Sequence, residues 1–150
     1  MPPDTRFPFR VAAIDVGSNA IRFVVGEFMG PGHWVELEMQ RVPVRLGHQV
    51  FLTGQLASSA VDGAVAAFSS FRDQKKGLEL DAFRAVATSA VREARNGQDM
   101  VNRIRDETGI ELEMISGFEE ARLVHLAVSS RVDLTGGQWI LTDLGGGSVE

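Results

Sequence analysis

One pattern occurs twice in this chain and constrains it more than any other feature: an apolar strand that runs into Asp-x-Gly, with a serine soon after. The first copy lies in Val11-Ala-Ala-Ile-Asp-Val-Gly-Ser-Asn-Ala-Ile-Arg-Phe-Val-Val25 and the second in Trp139-Ile-Leu-Thr-Asp-Leu-Gly-Gly-Gly-Ser148. Two apolar runs flanking Asp15, Gly17, Ser18 and Asn19 predict two strands joined by a tight turn. Such a turn either closes a plain hairpin, or lets Gly17 bring the backbone close to a ligand while neighbouring N–H groups converge on an anion. The echo at Asp143 favours the anion, because three consecutive glycines carry a backbone-entropy cost that mere punctuation does not explain.

The rest of the chain predicts an α/β sheet that starts with a meander. Residues 1–8 hold three prolines and form an irregular lead-in. Strands are predicted over Phe9 to Val16, Ala20 to Phe28 and His33 to Val44, with Met29-Gly-Pro-Gly32 as a turn, giving an antiparallel meander. Pro43 places the third strand at an edge or a strand end. Arg45 to Gly54 carries mixed signals and is expected to be a loop. Ser59 is a candidate helix cap, and Val61, Ala64, Val65, Phe68 and Phe71 share one helical face, with Gly77 as the stop. A buried strand over Ala82 to Thr88, a short helix over Ala90 to Arg95 and a helix over about Gln98 to Thr108 follow. In that last helix Met100, Val101 and Ile104 point inward and Gly109 is the stop. A strand over Leu112 to Ile115, a helix over about Gly117 to Arg131 and a strand over Trp139 to Asp143 complete the pattern.

Composition sets the outer limits. At 150 residues one core is expected, and 44% hydrophobic with 23% charged residues is ordinary for a globular domain. There are no cysteines, which excludes disulfides and thiolate metal sites. No apolar run reaches about 18 residues and no leader pattern is present, so the cytoplasm is the default expectation, with no membrane partner. The net charge of −5 argues against salt-driven nucleic-acid binding. A phosphate-rich substrate would need local arginines and a divalent cation to overcome that field.

Three places carry residues suited to such chemistry. In Ile115-Ser-Gly-Phe-Glu-Glu-Ala-Arg122, Ser116 and Glu119 fit a capping box, which gives Glu119 a structural task. At about 100° per residue, Ala121, Leu123, Val124, Ala127 and Val128 average close to the direction of Glu120, whereas Glu119 and Arg122 point away. Glu120 is therefore an inward carboxylate in a first turn: a chemical group, or a second acid stabilised by the helix dipole at a cleft rim. In Thr88-Ser-Ala-Val-Arg-Glu-Ala-Arg95, Ser89 and Arg92 sit where a strand hands over to a helix, the end of an α/β sheet at which ligands collect. Asp15 and Asp143 each end a strand beside glycine and serine. Paired carboxylates facing a phosphate recruit Mg²⁺, whereas a single aspartate there is more often an Asx turn. His33, His48 and His125 have no ligand spacing. Arg22, on the strand after the first loop, is within reach of a phosphate.

Asp15-Val-Gly-Ser-Asn-Ala, Ala87-Thr-Ser-Ala-Val-Arg-Glu-Ala, Ile115-Ser-Gly-Phe-Glu-Glu-Ala-Arg and Asp143-Leu-Gly-Gly-Gly-Ser together resemble the exopolyphosphatase/guanosine pentaphosphate phosphohydrolase (Ppx/GppA) family. Four motifs in the right order from about Val11 onward make the resemblance specific; any one alone would not. It implies an actin-like ATPase (ribonuclease H-like) α/β fold, a mixed sheet with an initial antiparallel meander and flanking helices, and two related domains around a phosphate-binding cleft. Residues 1–131 would be the first domain and 132–150 the first strand and phosphate loop of a truncated second one.

The resemblance also implies roles. Gly17, Ser18 and Asn19 would belong to the first phosphate loop and Gly145, Gly146, Gly147 and Ser148 to the second. Arg92 would bind the phosphate chain. Asp143, with Asp15, would hold Mg²⁺, and Glu120 would be the general base activating water for attack on a terminal phosphoryl group. The substrate would be inorganic polyphosphate or guanosine pentaphosphate. Since half of the cleft is missing, the piece is expected to fold but to hydrolyse little alone. The apolar strand at Gln138 to Asp143 is expected to pair with a neighbouring chain, as in a homodimer. The segment His48 to Phe51 matches the family pattern loosely. Two other classes compete: a sugar or acetate kinase-like enzyme of the same superfamily, and a nucleotide-sensing module without turnover.

Overall fold

Alternation along the first strand decides which way the sheet faces. Ala12, Ile14 and Val16 are buried while Val11, Ala13 and Asp15 are more exposed, so one face of β1 (Phe9–Val16) carries the core and the other carries Asp15. The computed structural model describes residues 6–149. β1 pairs antiparallel with β2 (Ile21–Gly30), which pairs antiparallel with β3 (His33–Val42), as the meander predicted. A crossover through α1 (Gly47–Thr53) and α2 (Ser58–Lys75) leads to β4 (Ala82–Ala87), parallel to β1 on its other side. Then come α3 (Ser89–Glu93), α4 (Gly97–Thr108), β5 (Glu113–Met114) and α5 (Gly117–Ser129), giving the sheet order β3-β2-β1-β4-β5.

The core lies between the Ala12/Ile14/Val16 face and helices α2 and α4. Val61, Ala64, Val65, Phe68 and Phe71 of α2 are buried as their spacing predicted, as are Met100, Val101 and Ile104 of α4. Phe71 stacks on Phe23 of β2 with ring centroids 5.0 Å apart and planes within 16°. Each such aromatic contributes roughly 1.5–3 kcal/mol by leaving water. Gly109 ends α4 in the left-handed conformation, φ +70°, its N–H donating to the Arg105 carbonyl. Among the described residues no helix is long and apolar enough to cross a membrane.

The structure departs from the expected elements in three places. Residues 47–53 are a helix rather than a loop. Leu46 and Val50, one helical turn apart, are buried, and Gly54 at φ +74° closes the helix through its N–H to the Val50 carbonyl at 2.7 Å. α2 starts at Ser58 with Ala57 as its cap residue and no side-chain cap, so Ser59 lies inside the first turn. The third and largest correction is residues 139–143, which form no strand. A strand is held by a neighbour's ladder, and the described residues offer none there: Trp139 is 57% and Ile140 93% exposed. The outer parts of the lead-in and of the expected second domain, residues 1–5 and 150, lie outside the described residues.

Candidate active site

The parallel pairing of β1 and β4 puts their carboxyl ends side by side, with Val16 opposite Ala87, and hydrogen bonds from the Thr88 N–H and Oγ1 to the Val16 carbonyl tie the two ends together. Ligands of open α/β sheets bind at that end. The turn after β1 is closed by the Gly17 N–H donating to the Ala20 carbonyl at 3.1 Å. Ser18 is buried and its hydroxyl shares a hydrogen bond of 3.0 Å with Ser89 Oγ at the start of α3. The first loop is thus anchored to the strand–helix junction that follows β4.

The second glycine loop meets the first. Leu144 and Val149 form an antiparallel bridge, and the Gly145 N–H donates to the Ser148 carbonyl at 3.0 Å. A β-carbon at Gly146 would lie 2.7 Å from Asn19 Nδ2, and one at Gly147 would lie 1.8 Å from the Phe51 ring. At these glycines the absence of a side chain allows close approach: one lets the Asn19 side chain of the first loop come near, the other admits an aromatic ring from α1, and a larger residue would make those side chains move.

Around this junction is a cleft of about 340 Å³ lined by Asp15, Gly17, Ser18, Asn19, Arg22, Thr88, Ser89, Glu120, Asp143, Gly145, Gly146 and Ser148, among others. Nine of the eleven expected site residues are in that lining. The other two stand just outside it: Gly147 sits under Phe51, and Arg92 reaches the cleft through Glu120. Arg92 Nη1 donates to the Ile115 carbonyl at 3.0 Å and to Glu120 Oε2 at 3.1 Å. Thr88 was not among the expected residues; its position immediately after a buried strand, beside Ser89, was the available signal.

The two neighbouring glutamates divide as their helical directions predicted. Ser116 caps α5, its Oγ accepting from the Glu119 N–H at 3.1 Å. The Glu119 carboxylate turns to Arg122 at 2.6 Å and to Arg84 at 3.4 Å, rather than back to Ser116. The Arg122 hydrogen bond, followed by the Arg84 one, holds its carboxyl well below the usual range, at about 2. Glu120 faces the cleft, with 15% of its side chain exposed. No residue of α5 is fully buried, although Ala121, Leu123, Val124 and Val128 on the Glu120 side are half covered; Ala127 is exposed.

Asp15 lies opposite Arg22 across the β1–β2 ladder and accepts a hydrogen bond from it at 3.2 Å. Burial raises its carboxyl above the ordinary value; Arg22 opposes that, and the charge of Asp143 adds to it. Asp15 and Asp143, near enough for the charge of one to disturb the other, form with the serine oxygens of the cleft a hard oxygen donor set. No group of three or more His, Cys, Asp or Glu is gathered for a metal among the described residues. Two carboxylates are the donor set that Mg²⁺ takes where water and phosphate oxygens complete its shell.

Comparison with known proteins agrees with the geometry. The Ppx/GppA phosphatase family model matches residues 29–150. Exopolyphosphatase 1 of Mycobacterium leprae is 33% identical over 94% of this chain and 42% of its own length. Exopolyphosphatase 2 of Mycobacterium tuberculosis is 33% identical over 94% of this chain and 47% of its own. The crystal structure of an exopolyphosphatase from Cytophaga hutchinsonii superposes with a TM-score of 0.86 at 29% identity, over 93% of this chain and 45% of that one. The Aquifex aeolicus Ppx/GppA family member gives 0.83 at 28%, over 94% and 45%. The chain thus spans a little under half the length of the curated relatives it matches. With the fold, the paired glycine loops and the family model in agreement, the chain belongs to the Ppx/GppA phosphatase family.

Proposed function

We propose that this chain supplies one side of the cleft of a phosphoanhydride hydrolase that releases terminal orthophosphate from inorganic polyphosphate or guanosine pentaphosphate. The observation that carries this reading is the convergence of Glu120, the Asp15/Asp143 pair and the two glycine loops on one cleft. The exopolyphosphatase relatives support the substrate class.

Phosphoryl transfer asks for positioning and charge neutralisation more than for covalent chemistry. With the Gly17 and Gly145 N–H groups closing their own turns, the backbone amides of Ser18, Asn19 and Gly146 to Ser148 hold the terminal phosphoryl group. Asp15 and Asp143 would hold Mg²⁺, which when bound would supply neutralisation of the phosphate oxygens. Glu120 takes the proton of a water whose oxygen attacks phosphorus. The bridging P–O bond breaks in line with that attack, and the shortened chain leaves on its bridging oxygen. Arg92 fixes the Glu120 carboxylate in place, a positioning task beside the phosphate contact that the family resemblance implies for it.

The chain alone is expected to bind substrate weakly and turn over little, since its relatives are about twice its length. Residues 1–131 are the first domain in this proposal and 132–150 the start of the second. A cytoplasmic homodimer belongs to the same proposal, and sedimentation of the full-length protein tests the assembly. The functional test is orthophosphate release by the full-length protein from long-chain polyphosphate and from guanosine pentaphosphate, with and without Mg²⁺. Magnesium-dependent release, lost in Asp143→Asn, is expected. No release from either substrate would overturn the reading, and the preferred substrate would set the subfamily.

A further inference from the structure

Beside the cleft of Asp15 and Glu120 lies a larger depression of about 670 Å³, lined by Arg41, Arg45, His48, Phe51 and others. The two share Asn19 and Gly146, so they adjoin at the point where the glycine loops touch. We propose that this second lobe binds the phosphates that follow the reacting one, so that the substrate chain runs from the glycine loops over Asn19 and Gly146 to Arg41 and Arg45. The proposal rests on the hydrolase reading above and names where the body of its substrate lies.

Charge is the first argument. The chain carries 20 acids against 15 lysines and arginines, and its other cleft-side arginines are engaged: Arg22 with Asp15, Arg84 with Glu113 and Glu119, and Arg92 with Glu120. Among the described residues neither Arg41 nor Arg45 makes an ion pair or a side-chain hydrogen bond, and both are exposed. Two unpaired guanidinium groups lining one depression repel each other and gain from an anion between them; guanidinium also matches phosphate geometry in a bidentate way. In an acidic protein this local reversal of sign is where a polyanion can settle.

Backbone geometry is the second and independent argument. Arg45 has φ +51°, a left-handed conformation that a non-glycine residue adopts at a cost. That conformation is held against the first phosphate loop. The Arg45 N–H donates to the Asn19 carbonyl at 3.0 Å and the Gly47 N–H to the Ser18 carbonyl at 2.8 Å, while the Arg45 carbonyl accepts from the His48 N–H at 3.2 Å. The loop that carries Arg45 is therefore fastened to the residues that meet the reacting phosphate. Phe51, under which Gly147 fits, fastens the same segment to the second loop.

Polyphosphate and a nucleotide's oligophosphate tail share the chemistry, and chain length separates them. The experiment measures kcat/KM of the full-length protein for long-chain polyphosphate, tripolyphosphate and guanosine pentaphosphate, in wild type and in Arg41→Gln/Arg45→Gln. Arg105→Gln on α4, remote in sequence and paired with Asp106, is the control, and circular dichroism reports folding. The double variant is expected to lower the ratio of long-chain to tripolyphosphate kcat/KM about tenfold through KM, with a shallower salt dependence for the long chain. An unchanged ratio with wild-type salt dependence would overturn the lobe and leave the hydrolase reading standing. A loss confined to guanosine pentaphosphate would also overturn it, by assigning the lobe to the nucleoside. No turnover of any substrate by wild type would remove the hydrolase reading and this inference together.

Discussion

The guanidinium of Arg92 holds the carboxylate of Glu120: one nitrogen, Nη1, donates to Glu120 Oε2 at 3.1 Å and to the Ile115 carbonyl at 3.0 Å. Arg92 leaves the last turn of α3 and Glu120 the first turn of α5, so this contact ties the end of one helix to the start of the other beside the cleft. The Ile115 carbonyl fixes the arginine relative to the residue just before the α5 cap. The carboxylate is therefore oriented by a partner whose own position is set by backbone.

From this follows a coupling experiment on the full-length protein. Arg92→Gln and Glu120→Gln are each expected to lower kcat by about 10²-fold or more, the usual worth of a positioned acid–base group. The double variant should cost little beyond the worse single one, because residues that act as a unit are not additive. Steady-state kinetics on the four proteins checks this. Additive losses would show that Arg92 and Glu120 work separately.

In its proposed metal-holding role, Asp15 sets function against stability. Burial and the nearby Asp143 charge both disfavour its ionised form, and Arg22 compensates only in part. Asp15→Asn removes that charge; since 43% of the side chain is exposed and water screens it, only a small rise in the Tm of the metal-free protein is expected, together with weaker Mg²⁺ binding. Thermal melts with and without Mg²⁺ check both halves. A lower Tm in the metal-free variant would show that the Arg22 ion pair outweighs burial.

Much of this was legible in the sequence because it is written in local periodicity and turn chemistry. The strand Phe9 to Val16, the buried face of α2 and the Gly109 stop all follow from spacing of two or three to four residues, which a short window records. The different directions of Glu119 and Glu120 were legible for the same reason. What was hidden depends on partners far along the chain. α1 was missed because its stabilising contacts, Leu46 and Val50 in the core and Phe51 on Gly147, come from outside the segment. The strand at 139–143 was overread because its apolar run needs a neighbouring strand that the described residues lack. The Arg92–Glu120 pair joins residues 28 positions apart, and the Arg41/Arg45 lobe depends on Asn19 and Gly146 of the two distant glycine loops; only the first had a motif to announce it.

The Glu119 network predicts a pH signature. Its carboxyl falls from the ordinary 4.5 to about 2 on folding, chiefly through the Arg122 hydrogen bond and then through Arg84. A depressed folded value means that the contribution is complete above the unfolded value. It is lost as pH falls from about 4.5 toward 2. Urea unfolding of wild type and Glu119→Gln between pH 7 and pH 3 should therefore show the largest gap at pH 7 and a narrowing gap below 4.5. A gap independent of pH would contradict the ion-pair origin.

A steric prediction concerns the turn between α3 and α4. A β-carbon on Gly97 would lie 2.1 Å from the Val91 carbonyl oxygen, a backbone atom that side-chain rotation cannot move. Gly97→Ala is expected to destabilise by about 1–3 kcal/mol through overpacking, a fall in Tm of roughly 2–4 °C per kcal/mol at this size. Gly30→Ala, where nothing lies within 4 Å, is the control and should be nearly neutral. Equal stability of the two variants would refute the contact.

The central claim is that Glu120 is the base of a phosphoanhydride hydrolase. The most direct measurement is Mg²⁺-dependent orthophosphate release from long-chain polyphosphate by the full-length protein, wild type against Glu120→Gln, with circular dichroism to confirm that both are folded. The variant is expected to keep the fold and substrate binding but to lose at least about 10²-fold in kcat. A folded Glu120→Gln variant with wild-type kcat would place the base elsewhere and contradict it.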